Sequence, residues 1–184
     1  MIRLFVSIEL PDDVKEALRR VCCDVPGARW LEPDEMHLTL RFIGEVDGLV
    51  FHDIADALDD VRGEPFPLEV RGVGHFPPRG EPHVLWAGIE KSDALVDLRN
   101  RVEAAVVRAG VAPEGRKFSP HLTLARLKAT PQRAVGSFLA MNGLLRCDPF
   151  TVRDFHLYSS QLSAKRAVHR CEASYPLGRP REAT

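Results

Sequence analysis

His37-Leu38-Thr39-Leu40 recurs as His121-Leu122-Thr123-Leu124, and the reading of this tetrapeptide decides how the rest of the 184-residue chain is understood. In an extended strand, residues two apart share a face, so each copy turns its His and Thr one way and its two leucines the other. An imidazole trades a proton near neutral pH and a threonine hydroxyl can hold an oxyanion. One copy is therefore half of an acid/base site and two copies make a whole one. A lone His-x-Thr in a strand is ordinarily a polar position on a half-wet face. The chain has only five threonines and seven histidines, so chance would place Thr two positions after two of those histidines on the order of 1–2 % of the time.

A hydrophobic content of 45 % lets a chain of this length bury a proper core, as one large domain or two small lobes. Apolar runs are short, and the opening stretch already carries Arg3 and Glu9. The expectation is a soluble, cytoplasmic monomer with no signal peptide and no membrane span. Cys22, Cys23, Cys147 and Cys171 have neither the density of a disulfide framework nor paired zinc-ligand spacing, and read as reduced thiols. With a net charge of −1, the chain lacks the global field of a non-specific nucleic-acid binder. An anionic ligand must be held by a local cluster.

Outward from the motif, the chain reads as a repeated plan. Arg3–Glu9 is a strand, and a helix opened by Pro11 carries Val14, Ala17, Leu18 and Val21 on one stripe. His37–Ile43 is the first motif strand, expected to stop at Gly44. Val50, Ile54, Leu58 and Val61 mark a second helix, and Phe66, Leu68 and Val70 a further strand. Trp86-Ala87-Gly88-Ile89-Glu90 then echoes Phe5-Val6-Ser7-Ile8-Glu9. A helix through Leu95, Leu98, Val102 and Ala105 ends at Gly110, the second motif strand follows, and Thr130-Pro131 reads as cap and first turn of a last helix. The motif offset is 121 − 37 = 84, and Pro65-Phe66 returns as Pro149-Phe150 at the same offset. The expected fold is α+β: a single two-lobed domain over 1–184, with repeats at about 1–80 and 81–178. Each lobe would be an antiparallel sheet covered by helices, with the His/Thr faces meeting in a cleft between them.

Paired histidines with no nucleophilic Ser or Cys in the motif suit a displacement in which one proton is taken and another given. Neither copy has His-x-x-x-His spacing, the motif strands carry no Asp or Glu ligands beside the His, and no Gly-x-Ser-x-Gly turn occurs, so metal and triad chemistry are both disfavoured. The duplicated motif, with Phe42-Ile43-Gly44-Glu45-Val46 after the first copy and Ser119-Pro120 before the second, resembles the 2H phosphoesterase superfamily. Within it, Arg3-Leu4-Phe5-Val6-Ser7-Ile8, Val84-Leu85-Trp86-Ala87-Gly88 and Leu157-Tyr158-Ser159-Ser160 are similar to the RNA 2′,3′-cyclic phosphodiesterases, historically called 2′-5′ RNA ligases.

That resemblance, covering Met1 to about Tyr175, implies a two-lobed α+β fold, no metal and no cofactor. Its substrate would be RNA with a 2′,3′-cyclic phosphate end, or a cyclic nucleotide, opened to a 2′-phosphate. By position, His37 and His121 are the acid/base pair; the duplicated motifs are locally equivalent, and His37 as acid with His121 as base is an expectation that the resemblance does not itself supply. Thr39 and Thr123 hold phosphate oxygens, and Arg126, five positions after the second His, contacts the phosphate. Strict alternation puts Arg126 on the leucine face, so this role needs a twist or bulge, while the same alternation puts Arg41 on the His/Thr face as a second contact. His52, His75, His83, His156 and His169 lack the Thr partner and read as ordinary polarity. Arg116, Lys117, Lys165 and Arg166 are either the rim of a cleft or a solvated surface. The rival readings are reversible 2′-5′ ligation, hydrolysis of a small cyclic nucleotide, and a binding module with no chemistry.

Overall fold

The computed structural model describes residues 1–163 and 166–179. Among them the chain forms an α+β fold with antiparallel sheets and four α-helices. In order come β1 (Ile2–Glu9), α1 (Asp12–Val21), β2 (Ala28–Trp30), a 3-10 turn (Pro33–Glu35), β3 (His37–Val46), α2 (Gly48–Asp59), β4 (Phe66–Leu68) and β5 (Val70–Phe76). After these come β6 (Val84–Ile89), α3 (Asp93–Arg108), β7 (His121–Leu127), α4 (Gln132–Asn142), β8 (Phe150–Val152), β9 (Asp154–Leu162) and β10 (Ala167–Pro176).

Helix limits follow local chemistry. Asp47 starts α2 by accepting from the Leu49 and Val50 amides at 2.9 and 3.0 Å, and Ser92 starts α3 by accepting from the Leu95 amide at 3.1 Å. The apolar stripes of all four helices, among them Leu18, Leu58, Val102 and Phe138, join Leu38, Leu40, Leu122 and Leu124 in one continuous core. Both motif leucine pairs are thus buried, each side chain contributing about 2 kcal/mol through the area it removes from water.

Two separate sheets were expected, and the structure has one continuous sheet with a narrow waist. Its order is β10-β9-β1-β3-β7-β6-β5, with β2 paired to β7. The waist is the single pair Leu38 opposite Leu122. These are repeat-equivalent positions, since 122 − 38 = 84. In the small second sheet, Pro67 sits opposite Thr151, again 84 apart. An approximate two-fold axis therefore passes through both points. The lobes do not coincide with the sequence repeats, because β5 of the first repeat pairs with β6 of the second while β9 of the second pairs with β1 of the first. The first repeat pairs its β5 with the second, and the second pairs its β9, with β10 beyond it, with the first, an exchange that local periodicity does not encode.

Three smaller expectations also change. The first motif strand runs past Gly44, whose φ of 90° lets the backbone bend where a side chain would strain, and ends at Val46. Phe66–Val70 is two elements, β4 and the start of β5, in different sheets. Thr130 does not cap α4; its hydroxyl is buried without a hydrogen-bond partner, and Pro131 occupies the cap position.

Candidate active site

Because the waist joins β3 to β7 at the motifs themselves, the two His/Thr rows lie side by side on the sheet face away from the helices. His37, Thr39, His121, Thr123 and Arg126 all line one cavity of about 510 Å³. A larger cavity of about 690 Å³, beside Gly63, Arg101 and Leu177, contains none of them.

Arg126 reaches this cavity through a bulge. Leu85 pairs with Ala125 but Trp86 pairs with Thr123, so Leu124 is an extra residue and the alternation resets after it. Leu124 and Ala125 are both buried and Arg126 emerges on the His/Thr face. The same irregularity occurs in the first copy, where Val6 pairs with Arg41 and Ser7 with Thr39, leaving Leu40 as the extra residue. That corrects the expectation for Arg41. It turns to the helix side, 6 % exposed, with Nε 2.6 Å from Glu103, Nη1 donating to the Phe42 carbonyl at 2.7 Å and Nη2 donating to the Ala112 carbonyl at 2.6 Å. Phe42 takes the place in the cavity that Arg126 takes in the other copy.

The two histidines have different surroundings. His37 is stacked on Phe5 at 4.8 Å between ring centroids, and the His169 ring meets it edge-on at 5.3 Å. Phe5 also stacks on Tyr158 at 5.3 Å, whose hydroxyl donates to Glu9 at 2.9 Å. Burial, then the nearby His169 and Lys15, lower the His37 pKa to about 4, with Glu9 and a hydrogen bond to the Glu35 backbone working the other way. His37 is thus neutral at pH 7. His121 instead has Nδ1 2.8 Å from the Ser119 carbonyl, so Nδ1 carries a proton and Nε2 is the nitrogen left to face the cavity chemistry. The Phe76 ring meets it edge-on at 4.8 Å, backed by Trp86, which lies so close over Gly74 that any Cβ there would overlap the indole.

Sequence reasoning missed several residues of this cavity. Arg3, Phe5, Arg29, Glu35, Phe42 and His169 line it too. Arg3 lies over the Phe42 ring at 5.0 Å, and Arg29 faces Glu35 at 3.6 Å. His169 belongs to the site rather than to ordinary strand polarity; its Nδ1 is buried without a hydrogen-bond partner, and burial lowers its pKa. The other histidines stay outside the cavity: His52 and His83 are exposed, His75 is half-buried on β5, and His156 spans Ser174 and Asp154 at 2.8 and 3.2 Å. Of the basic residues, Arg116 pairs with Glu114 and Arg166 with Asp34, each at 3.2 Å, Lys117 lies with Arg116 in a neighbouring cavity, and Lys165 lies outside the described residues. Among the described residues, no three His, Cys, Asp or Glu side chains cluster so as to share a metal ion, and no helix is long and apolar enough to cross a membrane.

Known proteins resemble this chain in sequence and fold. The chain is 30 % identical to the RNA 2′,3′-cyclic phosphodiesterase of Archaeoglobus fulgidus over 92 % of its own length and 97 % of the relative's. It is 36 % identical to the enzyme of the same name from Thermotoga maritima over 72 % of its own length and 73 % of that chain. Its fold is similar to that of E. coli LigT crystallised with 3′-AMP, with a TM-score of 0.79 and 24 % identity, over 97 % of this chain and 99 % of that one. Residues 8–86 and 88–169 each match the family described as LigT like Phosphoesterase, one His-x-Thr in either segment. A matched pair of segments spanning both motif strands, together with relatives aligned over nearly the full length, places the chain in the LigT-like phosphoesterase family, and it belongs to that family.

Proposed function

We propose that the protein hydrolyses RNA 2′,3′-cyclic phosphate ends to 2′-phosphates, by metal-independent acid/base catalysis between His37 and His121, as a cytoplasmic monomer. The observation that carries this is the pairing of Leu38 with Leu122, which sets two His-x-Thr rows and Arg126 around a single cavity. The curated relatives named RNA 2′,3′-cyclic phosphodiesterase support the substrate class, and the E. coli fold relative complexed with 3′-AMP supports a nucleotide ligand.

In this reading Thr39, Thr123 and Arg126 hold the non-bridging phosphate oxygens. Arg126 supplies the positive charge that offsets the charge building on phosphorus. Nε2 of His121 takes a proton from water as the water oxygen bonds to phosphorus. The P–O3′ bond breaks on the opposite side, and His37 delivers its proton to O3′. His37 is neutral in the free protein at pH 7. An anionic phosphate against the ring favours the imidazolium, so protonation of His37 accompanies substrate binding. Solvent exchange then returns both rings to their starting states.

Similar but unequal rows seat the ribose one way, so one oxygen leaves. Phosphorus NMR of the product from a nucleoside 2′,3′-cyclic phosphate is expected to show the 2′-phosphate alone; a 3′-phosphate or a mixture refutes the single seated orientation.

A further inference from the structure

We infer that a second cavity, which meets the first along the His/Thr rows, seats the stretch of RNA running 5′ of the reacting end. This rests on the cyclic-phosphate reading above and adds to it a binding site for single-stranded RNA. The cavity has a volume of about 500 Å³, and Thr39, Phe42 and His121 line it as well as the first. Whatever is held at the motif threonines therefore has open space on two sides.

The far wall is the segment between α3 and β7. It presents Arg116, Lys117 and Phe118, with Arg99 over the Phe118 ring at 5.5 Å. Charges can be counted through their partners. Arg41 and Arg99 face Glu103, and Arg116 faces Glu114, which also lies 3.6 Å from Arg41. Lys117 is exposed and has no carboxylate partner among the described residues. Four cations against two carboxylates leave a local surplus of two positive charges in a chain whose net charge is −1.

A mononucleoside cyclic phosphate carries one negative charge, which Arg126 and a histidinium already answer. It has nothing to place against Lys117 or Arg116. An RNA chain has a further phosphate at each nucleotide, and cations interleaved with aromatic rings are the usual way a protein tracks a single strand without reading its sequence. Glu114 stays anionic, its pKa held down at about 2 by side-chain and backbone hydrogen bonds from Arg116, and the Arg116 and Arg41 guanidiniums offset that charge.

The test compares kcat/KM for a nucleoside 2′,3′-cyclic phosphate and for a tetranucleotide ending in one, in the wild type, in Lys117→Glu and in the double variant Arg116→Glu, Lys117→Glu. The tetranucleotide should be preferred by about tenfold or more in the wild type, and the double variant should lose at least about fivefold of that preference with the mononucleotide value within about twofold. An unchanged preference, or equal loss on both substrates, overturns the inference; the first of these is also what a site for a separate 5′-hydroxyl strand would give. Anisotropy of a labelled tetranucleotide with a 2′-phosphate end supplies a readout that needs no turnover. Its salt slope should fall by about one for each cation reversed, and an unaltered slope again overturns the site. Absence of hydrolysis with binding retained would count against the proposed reaction and leave the RNA site standing.

Discussion

The motif strands β3 and β7 begin with the same four residues, carry the same bulge at the second leucine, and then part company. After the bulge, β3 buries an arginine and offers an aromatic ring to the cavity; β7 buries an alanine and offers an arginine. Identical histidines are likewise set differently, His37 stacked on Phe5 with its pKa lowered to about 4, and His121 tied to a carbonyl by Nδ1. On the proposed reaction, duplication supplies two proton-transfer groups and the residues that differ assign them separate work. An unbroken symmetry would leave no reason for a substrate to bind one way round.

The broadest test of this comparison removes each histidine in turn. His37→Ala and His121→Ala should each lower turnover by about 10²–10⁴ with a native circular dichroism spectrum. Full activity in either would mean that one row suffices. The next test addresses the fifth position after each histidine: Arg126→Ala should cost about 10²–10³ in kcat, and Phe42→Ala about tenfold or less. Equal losses would show that charge at phosphorus is not confined to the β7 side.

A third test concerns the proton affinity of His37. The folded pKa of His37, about 4, lies below the unfolded value of about 6.5, so the folded chain binds fewer protons between these limits. The stability tied to neutral His37 is complete above pH 6.5 and is lost as pH falls toward 4, to the extent of about 3 kcal/mol. His37→Gln should therefore gain in melting temperature relative to the wild type as the pH is lowered from 7 to 4.5. Parallel curves would contradict the lowered pKa. The smallest expected effect is none: excess EDTA should leave turnover unchanged, because the proposed reaction gives Arg126 and imidazolium the role a metal would fill. Loss on chelation, with recovery on adding one divalent ion, would overturn that.

How far the sequence could be read depended on the range of the interaction. The helices, the leucine faces and the His/Thr rows follow from periodicities of a few residues, and these were legible. Nothing in Leu40 or Leu124 announces a bulge, because either residue pairs normally in a regular strand; the burial of Arg41 is set by Glu103 on α3 and the Ala112 carbonyl, which no local pattern connects to it. His169 was illegible for the same reason. It sits on β10, 132 positions after His37 (169 − 37), and only the pairing of β9 with β1 brings the two rings together.

The exchange of strands between the repeats also bears on how the chain matures. His37, its motif strand and Phe5 emerge early in synthesis, yet the Tyr158 ring stacked on Phe5 and the His169 ring edge-on to His37 belong to β9 and β10, which emerge near the end. Pairings of such long sequence separation close slowly, after local helices and hairpins have formed. On the ribosome the first half would carry a complete motif and no working site. On the proposed reaction, the site that cuts would be whole only once the last strands are in place.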